Sequence, residues 1–260
     1  MGHINATGGE HGMRFNGMSP SEISPKIFVS HEIISPIPPR TVRMVAASRQ
    51  SYLAGVDLSP REIHLHLNYA GRTIDNANHL AAKVAALFCR DDLAEYEPTH
   101  MPGKAFSAIL QSASEPEWHW GFGVVEYTFI APRPFMHSTS ATVIAGGAQV
   151  YMEPRGTVPA RPIITHRMAA ASSALTVSIS DGETSPAVIM SVRNPSGADL
   201  PAGLLVHIDF ESRLCSINGV AANEYIDYTV SDWHPEITGG TLITLSDSGD
   251  TTVRWTDEWM

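Results

Sequence analysis

Apolar and polar residues alternate most clearly along residues 61–69. Ile63, Leu65, Leu67 and Tyr69 alternate there with His64, His66 and Asn68. This period of two is typical of a strand that buries one face. We therefore predict a half-buried β-strand from Arg61 to Tyr69.

The segment before that strand is interrupted by prolines. Ser24-Pro25, Ser35-Pro36 and Pro38-Pro39 bracket the apolar residues 27–29 and 33–34. Proline lacks an N–H donor and fixes φ, so this density excludes a helix or a central strand. The pattern predicts edge strands and extended arms, among them residues 34–40, that run over a neighbouring surface.

One helix is predicted, from Asn76 to Cys89, with Asp75 or Asn76 as the N-cap. Its apolar residues fall at positions i, i+4, i+7 and i+8 of one face, and they are Leu80, Val84, Leu87 and Phe88. Two further strands are expected after it, at residues 105–110 and 123–130. The second of these strands ends before Pro132 and Pro134.

A proline-rich break separates two domains. Residues 153–162 contain Pro154, Pro159 and Pro162 together with Gly156, a composition typical of a linker. The sequence therefore divides into an arm (1–12), a β-rich N-terminal domain (13–155) and a second domain (156–260). The polar, glycine-rich arm has three open interpretations: a flexible segment, an upstream start or a non-native addition.

The second domain is predicted to be nearly all β. Residues 175–180 alternate up to a turn at Asp181-Gly182, and Asn218-Gly219 is a strong hairpin signal. Further strands are expected at residues 187–192, 204–210, 214–217, 225–228, 241–245 and 251–255. About seven short strands at this spacing predict a β-sandwich, so the fold class is mainly β with one helix.

Composition and charge exclude several classes of protein. The 260 residues carry a formal net charge of −10, which argues against nucleic-acid binding because that depends on basic residues. No apolar run approaches the roughly 20 residues of a membrane-spanning helix, and the N-terminus lacks the pattern of a secretion signal. The two cysteines, Cys89 and Cys215, lie among apolar residues, so we expect buried thiols in a reducing cytosol.

No combination of residues indicates an active site, a cofactor site or a metal site. Asp209 and Glu211 share a strand face about 7 Å apart, as in inverting glycosidases, but the alternation places both on the solvated side of a sheet. His64 and His66 share a face without a third metal ligand. The sequence contains no Gly-x-Ser-x-Gly elbow, phosphate-binding loop or dinucleotide fingerprint. We therefore predict that the protein is not an enzyme.

Tryptophans are the candidates for contacts with a partner or a glycan. Trp118 and Trp120 flank His119 in a segment that either docks a partner or packs its own rings. In the second domain the candidates are Trp233, Trp255 and Trp259, each of which is either part of the core or a platform for a sugar.

The order of motifs resembles the distal tail protein family of siphophages, from Met13 almost to the last residue. Phe15-Asn16-Gly17 resembles that family's opening turn, and Arg61–Leu65 after Gly55-Val56-Asp57 resembles its first strand. The other similar segments are the helix Asn76–Cys89, the strands Pro102–Leu110 and Gly121–Pro132, the domain start Gly156-Thr157 with Ala160–Ile164, the strand and hairpin Leu204–Asp209 with Ser216–Gly219, and the closing Arg254-Trp255 with Trp259. Ile237–Gly240 departs from the pattern, since the family often has a Pro-Gly-x-Asn turn there, and this leaves the late hairpin open.

This resemblance implies a structural protein of the virion, made in the host cytoplasm and placed at the tail tip. The N-terminal domain would form a belt in a hexameric ring, and the C-terminal domain would be a galectin-like β-sandwich. The implied partners are sister copies, the tail tube protein, the tape-measure protein, the tail hub or tail-associated protein, and receptor-binding proteins. A ring needs a head-to-tail interface that closes, and extended arms can supply one.

Two other functions are weighed against this one. A galectin-like sandwich can also be a carbohydrate-binding adhesin module that contacts the host cell surface, with Trp233, Trp255 and Trp259 as its platform. A cell-wall hydrolase would require an acid–base pair, which the sequence does not offer.

Overall fold

The computed structural model describes residues 12–35, 37–47, 50–71, 73–119, 122–181 and 185–260. The chain is mainly β, as predicted. It divides into two units, the first comprising residues up to Thr139 together with Met260, and the second comprising Ser140–Trp259.

The N-terminal unit is built on one antiparallel sheet and one long helix. Its elements are β1 (Met13–Phe15), α1 (Pro20–Ile23), β2 (Ile27–Ile34), β3 (Arg40–Ala47), β4 (Gln50–Leu58), β5 (Arg61–Ala70), α2 (Ile74–Phe88), β6 (Ala94–Pro98), β7 (Lys104–Ala113), β8 (Glu117–His119), β9 (Phe122–Ala131) and β10 (Met136–Ser138). The sheet runs β1-β6-β7-β9-β5-β2, with β8 on β9 and β10 on β7. Inward residues of β5 are fully buried at alternate positions, which confirms the predicted alternation.

The proline-punctuated region contains more regular structure than the sequence predicts. Strand β2 is an edge strand, as expected. Residues 40–58, however, form a long two-stranded hairpin, β3–β4, which pairs with no other described strand. A second helix is also present, since α1 forms one turn with Pro20 at its start and Ser19 as its N-cap. Proline is compatible with the first turn of a helix because no N–H is needed there.

Helix α2 packs on the sheet through Ala77, Val84 and Phe88. The ring centroid of Phe88 lies 5.0 Å from those of Tyr127 and Phe129, in edge-to-face geometry. The helix begins earlier than predicted because the side chain of Thr73, rather than Asp75 or Asn76, caps it. No helix in the described part of the chain is long and apolar enough to cross a membrane.

The two cysteines differ in exposure, which corrects the expectation that both are buried. Cys89 follows the last turn of α2 and is exposed, whereas Cys215 is buried. Burial, followed by the nearby Glu224, raises the pKa of the Cys215 thiol to about 11. Cys89 is therefore the exposed cysteine of the two.

The C-terminal unit is a sandwich of two antiparallel sheets. Its elements are β11 (Thr142–Gly146), β12 (Gln149–Met152), β13 (Ile163–Arg167), β14 (Leu175–Ser180), β15 (Ala187–Val192), β16 (Leu205–Asp209), β17 (Leu214–Ile217), β18 (Val220–Ala221), a 3-10 turn (Asn223–Tyr225), β19 (Thr241–Leu245), β20 (Asp250–Trp255) and β21 (Glu258–Trp259). One sheet runs β11-β20-β13-β16-β17-β18 and the other β12-β19-β14-β15. Their inner faces share one core, which includes Ile164, Val206, Ile208 and Val253 from the first sheet and Val150, Val177, Met190 and Ile243 from the second.

Two local predictions in this unit have different outcomes. Asn218 and Gly219 have φ values of 51° and 81° between β17 and β18, and positive φ at both positions is the signature of a type I′ hairpin turn. This confirms the hairpin prediction.

The strand predicted at residues 225–228 is wrong, because the 3-10 turn ends at Tyr225 and Ile226 makes only an isolated bridge to Val192.

The boundary between the units lies before the proline-rich stretch. Strands β11 and β12 precede residue 155, yet β11 pairs with β20 and β12 pairs with β19. Residues 142–152 therefore belong to the C-terminal sandwich, and residues 153–162 are a connection inside it rather than a linker between domains.

Candidate functional site

One face of the β3–β4 hairpin is apolar and exposed. Val42 lies opposite Val56, and Met44 lies opposite Leu53. Since side chains alternate along a strand, these four residues share a face with Leu58. All five are between 48% and 63% exposed. We call this set, Val42, Met44, Leu53, Val56 and Leu58, the apolar hairpin face.

The opposite face of the hairpin carries polar pairs together with Val45, which is 57% exposed. The Nε of Arg43 lies 2.8 Å from Oδ2 of Asp57, and the hydroxyls of Thr41 and Ser59 are 2.7 Å apart. The hairpin thus exposes apolar side chains to solvent, and most of them lie on the apolar hairpin face. An isolated two-stranded hairpin is only marginally stable in water, so this arrangement indicates a surface made for contact with another molecule.

The sheet edge at β2 is a second candidate contact. Among the described strands, β2 pairs only with β5, which places it at the end of the sheet. Phe28 and Ile33 on this strand are 40% and 47% exposed. An edge of this kind can accept a further strand.

Of the two tryptophans predicted to contact a partner in the N-terminal unit, the structure describes Trp118. The ring of Trp118, in β8, lies over Gly123 of β9, where a Cβ would be 1.3 Å from its Cζ3 atom. Trp118 therefore packs on its own sheet, which was one of the two interpretations of this segment. Trp120 lies outside the described residues.

The three tryptophans of the C-terminal unit do not form one platform. Trp255 is 3% exposed, and its Nε1 donates a hydrogen bond to Asp257 at 3.1 Å. Trp233 is partly buried against Phe210, with ring centroids 5.8 Å apart. Trp259 lies half-buried in β21. A role for these residues in binding a glycan or a partner stays a prediction.

The polar groups considered for chemistry have structural partners. Oδ1 of Asp209 accepts the backbone N–H groups of Glu211 and Ser212 at 2.9 and 3.1 Å, which holds the turn after β16. Nδ1 of His64 lies 3.1 Å from a carboxylate oxygen of Glu126 on the adjacent strand. Within the described ranges, no three His, Cys, Asp or Glu residues are placed to hold a metal ion.

A buried network in the C-terminal unit was not predicted from the sequence. Nε2 of His166 lies 2.9 Å from Oδ1 of Asp247, and Nδ1 lies 2.9 Å from the Thr251 hydroxyl. The Asp247 carboxylate also accepts the N–H groups of Ala169, Ala170 and Gly249. These bonds close the loop between β19 and β20 onto the chain after β13. No short spacing predicts the network, because His166 and Asp247 are 81 residues apart in the sequence.

Arg61 lies inside the N-terminal unit, although the sequence predicts only that it begins a strand. Arg61 is 2% exposed. Its Nη1 donates to the carbonyl of Ser35 at 2.8 Å, and its guanidinium carbon is 5.1 Å from the ring centre of Phe106. Burial lowers the pKa of Arg61 from its ordinary value.

A carboxylate is buried near that arginine. The side chain of Glu32 is 3% exposed and lies 3.4 Å from Nδ1 of His100. It also accepts a hydrogen bond of 2.5 Å from the hydroxyl of Tyr96. Arg61, Glu32 and His100 line the same cavity of about 330 Å³.

Comparison with known protein families decides the class of the C-terminal part. Residues 155–259 match the family described as siphovirus-type tail component, C-terminal domain. This stretch is therefore similar to the C-terminal domain of siphovirus-type tail components. The match confirms the resemblance to siphophage distal tail proteins that the order of motifs indicates. No curated protein sequence matches the chain.

Solved structures extend the likeness in fold to both units. The Dit protein of phage SPP1, described as a paradigm of the hub adsorption apparatus in phages that infect Gram-positive bacteria, superposes with a TM-score of 0.76 at 14% identity. The alignment covers 96% of this chain and 99% of that protein. A chain of the phage p2 baseplate in its activated conformation with strontium gives 0.50 at 8% identity, covering 95% and 98%. These similarities show a shared fold.

The Asp247 network gives the tail-component domain a predictable response to acid. Burial alone would raise the pKa of Asp247, but hydrogen bonds from Ala169, His166, Gly249 and Ala170 outweigh it and hold the pKa below its ordinary value of 3.8. The stability that Asp247 contributes is therefore complete above the unfolded-state pKa and is lost as pH falls through the lower folded-state pKa. We expect the melting temperature of the Asp247→Asn variant to be below that of the wild type at pH 7, and the difference to shrink below about pH 4. A difference that stays constant down to pH 2 would contradict this.

Proposed function

We propose that this chain is a non-enzymatic subunit of a phage tail tip, in which six copies form a ring. The observation that carries the proposal is the apolar hairpin face, which lies on a unit joined to a tail-component domain. In the virion the ring would join the tail tube to the hub and the receptor-binding apparatus. The subunit would be made in the host cytoplasm and assembled there.

The hairpin supports contact with a sister copy. Burying one valine, leucine or methionine side chain is worth about 1.5–3 kcal/mol, and these side chains are about half exposed, so each could gain about 1 kcal/mol on contact. Every copy in a ring presents the same hairpin, so the gain is repeated at each interface. A head-to-tail contact between the hairpin of one copy and another surface of the next closes into a ring when the rotation permits.

The edge of β2 supports the same assembly. A hairpin that lies against the β2 edge of a neighbouring copy would cover Phe28 and Ile33 and add strands to the sheet. The predicted arm, residues 34–40, connects β2 to β3 and so determines how far the hairpin projects. Six copies of a ring subunit would also present six C-terminal domains to the tail tube protein, the tape-measure protein, the hub and receptor-binding proteins.

The proposal is tested by measuring the mass of the purified full-length protein. We expect a species near six times the 28.1 kDa chain mass, visible as rings by negative-stain electron microscopy. A chain that stays monomeric at the highest attainable concentration would contradict ring formation by the protein alone. Co-purification with separately produced tail tube and hub proteins would then test whether a partner is required.

A further inference from the structure

The guanidinium of Arg61 has two donors without an acceptor. Nη1 is bonded to the Ser35 carbonyl, but Nε and Nη2 are buried and have no hydrogen-bond partner. A guanidinium is charged at any physiological pH, and buried donors that are left unsatisfied are costly. Binding of a hydrogen-bond acceptor to these two donors would therefore be strongly favoured.

The two unsatisfied donors are geometrically matched. Nε and Nη2 lie on the same edge of the planar guanidinium, so their N–H bonds point in nearly the same direction. The two oxygens of a carboxylate fit such a pair with two parallel hydrogen bonds. The contact of the guanidinium with the Phe106 ring and the hydrogen bond from Nη1 to Ser35 both restrain the position of this pair.

The cavity beside Arg61 has the size and character for a small organic acid. It measures about 330 Å³, and its apolar lining comes from Ile34, Met101, Met136 and Met260. Methionine side chains are unbranched and rearrange at low cost, so they can admit a ligand to the covered nitrogens. The Glu32 carboxylate in the same cavity repels every anion, and it repels a dianion such as phosphate or sulfate about twice as strongly as a monocarboxylate.

We propose that this cavity binds a monocarboxylate with a short apolar chain. Its oxygens accept hydrogen bonds from Nε and Nη2 of Arg61, and its carbon chain contacts Met101 and Met136. The site belongs to the N-terminal unit and does not depend on the ring.

The test is a titration of the full-length protein with sodium butyrate against sodium chloride at equal ionic strength. We expect saturable heat by calorimetry and a saturable rise in melting temperature, with no such effect from n-butylammonium chloride. Arg61→Met should weaken butyrate binding by about tenfold or more, and Arg61→Lys should also weaken it because an ammonium cannot offer the paired N–H edge. Arg254→Met, at an exposed arginine of the other unit, is the matched control and should leave binding unchanged.

Two results would overturn the proposal. One is the absence of saturable heat when the wild type is titrated with butyrate. The other is unchanged butyrate affinity in a folded Arg61→Met variant. If Arg61→Met does not fold, Arg61→Lys decides, since it keeps the charge and loses only the paired donors.

Discussion

Replacing Val42 and Leu53 by aspartate together will convert rings into monomers. Both side chains belong to the apolar hairpin face and are 55% and 63% exposed in the single chain. Losing the burial of two such side chains removes about 2 kcal/mol, and placing two charges in an apolar contact adds to the cost. We expect the dissociation constant to rise by at least about 100-fold, as measured by mass photometry across a dilution series.

The control for this experiment is the same kind of change at Val220. Val220 is 69% exposed on β18 of the C-terminal unit, so Val220→Asp alters an exposed valine far from the hairpin in sequence. The rings of the Val220→Asp protein should persist. Both variants should keep the near-ultraviolet circular dichroism of the wild type, since the replaced side chains are not in a core. Rings that persist in the Val42→Asp/Leu53→Asp protein would mean that the copies meet through another surface.

Replacing Asp247 by alanine will be strongly destabilising for the C-terminal unit. The change removes the acceptor for buried His166, for the buried N–H of Gly249 and for the part-buried N–H groups of Ala169 and Ala170. Breaking a buried charged network on one side typically costs about 3–5 kcal/mol. We expect a loss of this size in the free energy of unfolding, measured by urea denaturation followed by the fluorescence of Trp255 and Trp233.

The nearby Asp250→Ala variant separates this effect from a general loss of negative charge. Asp250 is exposed at the start of β20, and a surface substitution usually changes stability by about 0.5 kcal/mol or less. A similar loss in both variants, or a loss below about 1 kcal/mol in Asp247→Ala, would contradict the structural role assigned to the network.

Local signals in the sequence predicted the regular elements where one face is buried. The alternation around Leu65, the helical face around Val84 and the Asn218-Gly219 turn each follow from chemistry within a few residues. The β3–β4 hairpin was missed because its apolar positions face solvent. The register also shifts between Arg43 and Met44, so that Leu53 and Val56, three residues apart in β4, lie on the same face.

The contacts that depend on distant residues were not predictable. Arg61 precedes an alternating strand, and a charge at that position is normally a surface residue; only the fold shows that it shares the buried face of Ile63. Three of the four partners of Asp247 lie 77, 78 and 81 residues away, and no spacing rule connects them. The early domain boundary follows from pairing of β11 and β12 with strands that come about a hundred residues later.

The exposure of Cys89 offers a direct way to count subunits. Since Cys215 is buried with a raised pKa and the sequence has no third cysteine, a maleimide dye should attach once to each folded chain. Stepwise photobleaching of single labelled particles would then report the number of copies in an assembly, without any engineered tag.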